Sequence, residues 1–187
     1  VSSRDDCKKT AEIFLEKSGR IDTVIANAGV GGPDELFSGN AEAINHILRV
    51  NILGVTNTIF PFLPVMKKQQ SGKIGIISSI ASTRGFVGHG GYAASKSAVK
   101  FLADSWGYQL ERNHISISTI FPGWIATEMT KNINYKMWFL MDSNTAAEKI
   151  ENAINKKIRE YILPWQWRLI VPLVKVIPRW IVTQFSK

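Results

Sequence analysis

Three short runs rich in isoleucine, valine and other strand-favouring residues, each ending in a turn of small residues, constrain this chain more than any other feature. Ile21-Asp22-Thr23-Val24-Ile25 leads into Asn27-Ala28-Gly29, the run from Lys73 to Ser78 into Ser79, and that from Ile115 to Phe121 into Pro122-Gly123. β-Branched residues favour strands, and Asn, Gly and Pro punctuate them. Helical patterns lie between. One covers about Asp5 to Lys17, with Ala11, Ile13, Phe14 and Leu15 among charges, a cap at Ser3 or Asp5, and Gly19 as its stop. A second runs from about Ala41 to Lys68, where Pro61 and Pro64 kink it or end its regular part, and a third from Tyr92 to Arg112. Strands that are mainly apolar are buried on both faces, so the alternation predicts an α/β fold: a doubly wound, Rossmann-like parallel sheet with helices on either side. Ligands in such sheets sit beyond the carboxyl ends of the strands, and the three turns converge on that rim.

With 187 residues, 45% hydrophobic and 20% charged, the chain is long enough for one sizeable core, and a single domain over 1–187 is expected. Cys7 is the only cysteine, so there is no internal disulfide, and a reducing, cytoplasmic setting follows. His46, His89 and His114 are scattered, and no metal site is expected. The net charge of +8 suits nucleic acid, an anionic membrane or a phosphorylated cofactor. Because the positive residues are spread over several segments, solvated helix faces explain most of them and nucleic acid is not an expected partner.

Tyr92-Ala93-Ala94-Ser95-Lys96 sets a phenol and an ammonium four residues apart at a helix start, on one face. For the phenol to exchange protons near neutrality its pKa must move from about 10 to about 7, roughly 4 kcal/mol of preferential phenolate stabilisation. Lys96 and the positive ring of an oxidised nicotinamide would both push that way. Ser79, at the end of the preceding strand, is placed to hydrogen-bond a substrate oxygen beside Tyr92.

Ser79, thirteen positions before Tyr92, and Lys96, four after it, resemble the serine and YxxxK motif of the short-chain dehydrogenase/reductase family. Asn27-Ala28-Gly29 is similar to that family's Asn-Asn-Ala-Gly turn beside the cofactor, with Ala26 in place of the first asparagine. Asn51, in Arg49-Val50-Asn51-Ile52-Leu53-Gly54, resembles the helical asparagine that completes the catalytic tetrad and holds a proton-relay water against the lysine. Pro122-Gly123-Trp124-Ile125-Ala126-Thr127 resembles the PGxxxT segment that contacts the nicotinamide carboxamide. The resemblance runs from Val1 to about Ile162. It implies an NAD(P)-dependent oxidoreductase interconverting a carbonyl and an alcohol, with Tyr92 as general acid/base and Lys96 also holding the nicotinamide ribose. It also implies a homodimer or homotetramer built on the helices that contain Asn51 and Tyr92. The family's glycine-rich turn, first βαβ unit and the residue choosing NAD or NADP have no counterpart here and would belong before Val1. The sequence thus reads as N-terminally incomplete; by itself it would lack the pyrophosphate site and half of the sheet, and is expected neither to fold well nor to bind cofactor.

Other features are open to two readings. His89, in a glycine-rich loop, is read as an exposed residue rather than a substrate contact. Thr127 serves either the carboxamide or an ordinary helix cap. Trp124, Met129, Tyr135, Met137, Trp138, Phe139 and Met141 form an apolar segment that either meets an apolar substrate or simply packs. The tail, residues 163–187, is apolar with Arg168, Lys175 and Arg179 on one helical side; these charges interrupt the apolar run and make a transmembrane span unlikely, and Pro172 and Pro178 divide it into two short pieces. It packs over the substrate pocket, packs onto a neighbouring subunit, or attaches peripherally to a membrane. Two rival functions remain at this point: a cofactor-sensing binding protein of the same fold, and a non-catalytic membrane-associated protein. The substrate and the direction of reaction are not legible.

Overall fold

A computed structural model describes every residue except 132, 134, 135 and 179–187. Tyr135 and the Arg179, Trp180 and Ile181 portion of the tail lie outside the described residues. Helix α1 (Arg4–Ser18) opens on Ser3, whose hydroxyl accepts the Asp6 N–H at 3.2 Å, and closes at Gly19 with φ 68°. Ser3 is therefore the cap, not Asp5. Of its apolar residues only Ala11 is buried; Ile13 and Phe14 are largely exposed.

Strand β1 (Thr23–Ala26) is followed by a continuous helical run. It comprises α2 (Glu42–Leu48), a π-helical turn (Arg49–Leu53), α3 (Gly54–Ile59), a 3-10 turn (Phe60–Phe62) and α4 (Leu63–Gln69). Pro61 and Pro64 tighten the run into the 3-10 turn without ending it, because each falls in the first turn of its own segment, where no N–H is needed. The run is long and apolar enough to cross a bilayer by composition, yet it lies on the sheet, burying Ile47, Asn51, Val55, Ile59 and Met66. Then come β2 (Gly72–Ile77), α5 (Gly90–Leu110), β3 (Ile115–Pro122), α6 (Ser143–Asn155), β4 (Glu160–Leu163) and α7 (Trp167–Val176).

The four strands form one parallel sheet in the order β1-β2-β3-β4. Side chains alternate across β2: Ile74 and Ile76 join the core under α3 and α5, whereas Gly75 meets Ile154 of α6 and Ile77 packs in the α6 core. Both faces are thus covered, which is the doubly wound arrangement. Strand β1 departs from the expectation of complete burial, since Ile25 is 44% exposed. Among the described residues β1 has a strand neighbour on one side only, β2.

Side-chain amides from one helical run fix both ends of β1. Gln69 accepts the Ile21 N–H at 3.0 Å and donates to the Ile21 carbonyl at 2.8 Å, standing in for a strand neighbour and delaying the strand to Thr23. At the other end Asn51 makes the same paired contact with Val30.

Candidate active site

The rim is assembled by buried polar contacts between segments distant in sequence. Asn51, fully buried, accepts the Val30 N–H at 2.8 Å and donates to the Val30 carbonyl and to Ser95 Oγ, both at 2.9 Å. Ser95 Oγ in turn donates to the Tyr92 carbonyl at 2.7 Å. The loop after β1, the π-helical turn and the Tyr92 helix are therefore one hydrogen-bonded unit. The extra residue of a π turn re-aims the side chain it carries, and here that residue is Asn51.

Asp34 adds a second tie. Its carboxylate, 7% exposed, accepts the N–H groups of Gly90 and Gly91 at 2.6 and 2.8 Å, and its own N–H donates to Gly88 at 2.9 Å. These are the first residues of α5, so a charge-assisted contact satisfies the orphan donors at the start of the helix that presents Tyr92. His89 is exposed, as expected, but its Nδ1 lies 3.1 Å from the Gly32 carbonyl, stitching the same two loops.

Within this frame Ser79, Tyr92 and Lys96 come together. Ser79 is nearly buried at the head of the turn Ile80–Thr83; its Oγ accepts the Ala81 N–H at 3.1 Å, leaving the hydroxyl hydrogen for the Tyr92 phenol to which it is bonded. Lys96 is buried beneath the tyrosine, with Nζ 5.8 Å from the ring centroid, and donates to the Ile77 carbonyl at 2.9 Å. Burial lowers its pKa to about 8. Tyr92 goes the other way: burial pushes its pKa up, and the Ser79 hydrogen bond offsets only part of this. Desolvation of a phenolate outweighs one neighbouring hydroxyl, and Lys96 is engaged by a carbonyl rather than by the phenol oxygen.

Asn27 and Ala28 stand exposed at the end of β1, and Gly29 is half-buried. Gly29 lies at a close approach: an added methyl would sit 3.1 Å from Lys96 Nζ and 3.4 Å from Asn51 Oδ1, so a side chain there would press on both. A nicotinamide cofactor fits this surface. The bare backbone of Gly29 lets Lys96 Nζ reach the rim, and of the three hydrogens on Lys96 one is taken by Ile77. Pro122 and Gly123 end β3, with the Gly123 N–H donating to Leu163 at 2.7 Å. Any side chain at Gly123 would overlap the Trp167 indole. Thr127 is exposed and starts no helix; it lies in a turn held by Thr130 Oγ1, which accepts the Thr127 N–H at 3.0 Å. Asp34 and Ser95 were not singled out from the sequence, whereas Met129 was read as part of the apolar 124–141 segment. Met129 Sδ approaches Gly31 beside the Tyr92 ring. The partners of Asp34 and Ser95, Gly90 and Asn51 respectively, are too distant along the chain for spacing to reveal them.

The short chain dehydrogenase family pattern matches residues 1–138, which include all four of Asn51, Ser79, Tyr92 and Lys96. The chain belongs to the short chain dehydrogenase family. An uncharacterized oxidoreductase of Myxococcus xanthus is 32% identical over 178 residues, covering 95% of this chain and 70% of the relative. A 3-oxoacyl-(acyl-carrier-protein) reductase of Thermotoga maritima is 34% identical over 136 residues, covering 73% of this chain and 55% of the relative. The X-ray structure of an alcohol dehydrogenase from the archaeon Thermococcus sibiricus, complexed with 5-hydroxy-NADP, matches with a TM-score of 0.72 at 26% identity. That match covers 87% of this chain and 69% of the archaeal one. This short chain dehydrogenase is thus an oxidoreductase of the NAD(P)-dependent class that acts on CH–OH groups.

Proposed function

We propose that this short chain dehydrogenase interconverts a carbonyl and an alcohol on an apolar small molecule, with Tyr92 as general acid/base. The observation that carries the reading is the convergence of Tyr92, the buried Ser79 hydroxyl that acts on its phenol, and the buried Lys96, whose Nζ lies 5.8 Å from the Tyr92 ring centroid. In reduction, Tyr92 donates its proton to the carbonyl oxygen, and its raised pKa keeps it protonated at neutral pH for that role. Ser79 donates a hydrogen bond to the same oxygen and fixes it beside the phenol. Lys96 binds the nicotinamide ribose with its remaining hydrogens and, titrating near neutrality, returns a proton toward Tyr92. Asn51 has both amide hydrogens committed to Val30 and Ser95, so its first task is to hold the loop and the helix in register. The free lone pair of its Oδ1, near Gly29 and Lys96, is left for a relay water. NAD or NADP, when bound, accepts or supplies the hydride. Asn27, Ala28 and Gly29 line its near side, and Pro122, Gly123 and Thr127 its carboxamide side.

The apolar substrate rests on Met129 beside the Tyr92 ring and on the exposed Trp138, Phe139 and Leu140 that follow in the same segment. Exposed Leu53, Phe101 and Tyr108 on the Asn51 and Tyr92 helices support a homodimer or homotetramer through those helices. NADPH is the cofactor to try first, because the Thermococcus enzyme was solved with an NADP derivative. The test is nicotinamide absorbance with NADPH and NADH over a panel of long-chain ketones and aldehydes. Turnover that disappears in Tyr92→Phe while cofactor fluorescence titration is unchanged supports the reading. Cofactor binding without turnover across the panel replaces it with the sensing role.

A further inference from the structure

Helix α7 is anchored on one side and bare on the other. Val171 is buried, and Arg84, five residues after Ser79, donates to the carbonyls of Val174 and Ile177 at its C-terminal end. Opposite Val171, Leu169, Leu173 and Val176 are 66, 63 and 77% exposed. Spaced at i, i+4 and i+7, they form one narrow stripe on a helix of about 3.6 residues per turn. Exposed Trp165 precedes the stripe. Trp138 and Leu140 extend it, joined through Phe139, whose ring meets Trp167 edge-on at 6.1 Å. Arg168 and Lys175, seven apart, lie along one flank, and Lys136 sits 4.8 Å over Trp138. No Asp or Glu occurs between Tyr161 and Pro178.

We infer that this ridge docks on an anionic lipid surface. The exposed stripe is apolar, its flank is basic, and the indoles of Trp138 and Trp165 suit the boundary between acyl chains and headgroups. Charge complementarity selects this occupant over a second copy. A two-fold contact would set Arg168 and Lys175 against the same cations with no acid within the ridge to pair them. The ridge adjoins Gly123 through Trp167 and the Ser79 turn through Arg84, so docking sets the rim beside the bilayer. If the proposed apolar substrate is correct, that substrate enters from the membrane.

The experiment is flotation of the full-length protein with phosphatidylcholine vesicles, with and without phosphatidylserine, in parallel with turnover of a water-soluble aldehyde and with size-exclusion chromatography. Wild type is expected to float with the anionic vesicles and to be released by salt. Leu169→Glu/Leu173→Glu loses flotation, and Lys175→Glu weakens it about tenfold on anionic vesicles only. These residues are exposed, so folding and aldehyde turnover stay unchanged in both variants. Absence of wild-type flotation, or flotation unaffected by Leu169→Glu/Leu173→Glu, overturns the inference. A dimer that Leu173→Glu dissociates also overturns it, in favour of a second copy. Absence of aldehyde turnover in wild type with flotation intact counts against the proposed function alone.

Discussion

The two sides of the rim are built on opposite principles. On the side formed by the loop after β1, the π-helical turn and the start of α5, the buried polar groups are partnered. Asn51 holds Val30 and Ser95, Ser95 holds Tyr92, and Asp34 holds Gly90 and Gly91. On the side formed by Gly123, the 124–141 segment and α7, backbone hydrogen bonds such as Gly123 to Leu163 and Ala126 to Met141 set the chain path, while the side chains meet through rings, as Phe139 does with Trp167. There Gln166 Oε1 and Trp167 Nε1 are buried without a hydrogen-bond partner among the described residues, while Trp138, Trp165, Leu169 and Leu173 face solvent. The contrast separates two tasks. Proton transfer needs groups held to fractions of an ångström, which directional bonds supply; an apolar surface adapts to its ligand and needs no such network.

The largest test of the polar side is chemical. Tyr92→Phe keeps the ring and its packing and removes the exchangeable proton, so turnover should fall about 10²–10⁴-fold with little change in stability. Retained activity would mean that the network positions something other than this phenol. Next comes the pH dependence of stability, read from urea melts of the protein without cofactor. The Lys96 pKa falls from 10.5 to about 8 on folding, so between these values the unfolded chain holds the extra proton and stability rises with pH. The rise is about 3 kcal/mol at most, and it should be absent in Lys96→Met, which should be the more stable protein at neutral pH. Above about 10 the raised pKa of Tyr92 works against it, since the unfolded phenol ionises first. A flat profile from pH 8 to 10 would show that Lys96 is solvated or ion-paired.

Asn51→Ala leaves both part-buried backbone groups of Val30 without their partner and takes one of two partners from the Ser95 hydroxyl. It should cost about 2–3 kcal/mol in a denaturation midpoint and loosen cofactor binding through Gly29. A loss below about 1 kcal/mol would mean that water replaces the amide, and the rigid side of the comparison would be less rigid than drawn.

How much of this was legible followed the sequence distance between partners. Ser79, Tyr92 and Lys96 could be picked out because a helix puts residues four apart on one face and because the serine ends a strand. Asn51 was legible as a residue but its work was not, since Val30 and Ser95 are 21 and 44 positions away. Asp34, 56 residues from Gly90, carried no local signal at all. Apolar runs indicated the parallel sheet, yet a run cannot say in which order its strands pair. Without the nicotinamide ring, desolvation raises the Tyr92 pKa, because spacing reports the nearness of Lys96 and not the burial that accompanies it. Thr127 was read for its place after Pro-Gly; the turn it occupies is set by Thr130, three residues on.

The smallest effect falls on the ring-packed side. Trp167→Phe keeps an aromatic ring against Phe139 and Gly123 and deletes a buried N–H that has no acceptor among the described residues. Losing the indole's outer ring costs packing, whereas losing an unsatisfied donor returns its desolvation penalty. The two terms nearly cancel, so thermal melting should move by no more than about 1 kcal/mol in either direction, far less than for Asn51→Ala. A loss above about 2 kcal/mol would show that the indole N–H is bonded in solution, and that side of the rim would then share the wiring of the other. A near-zero effect on stability, combined with altered KM for a long-chain ketone, would place Trp167 at the substrate and make the ring-packed side the one that sets specificity.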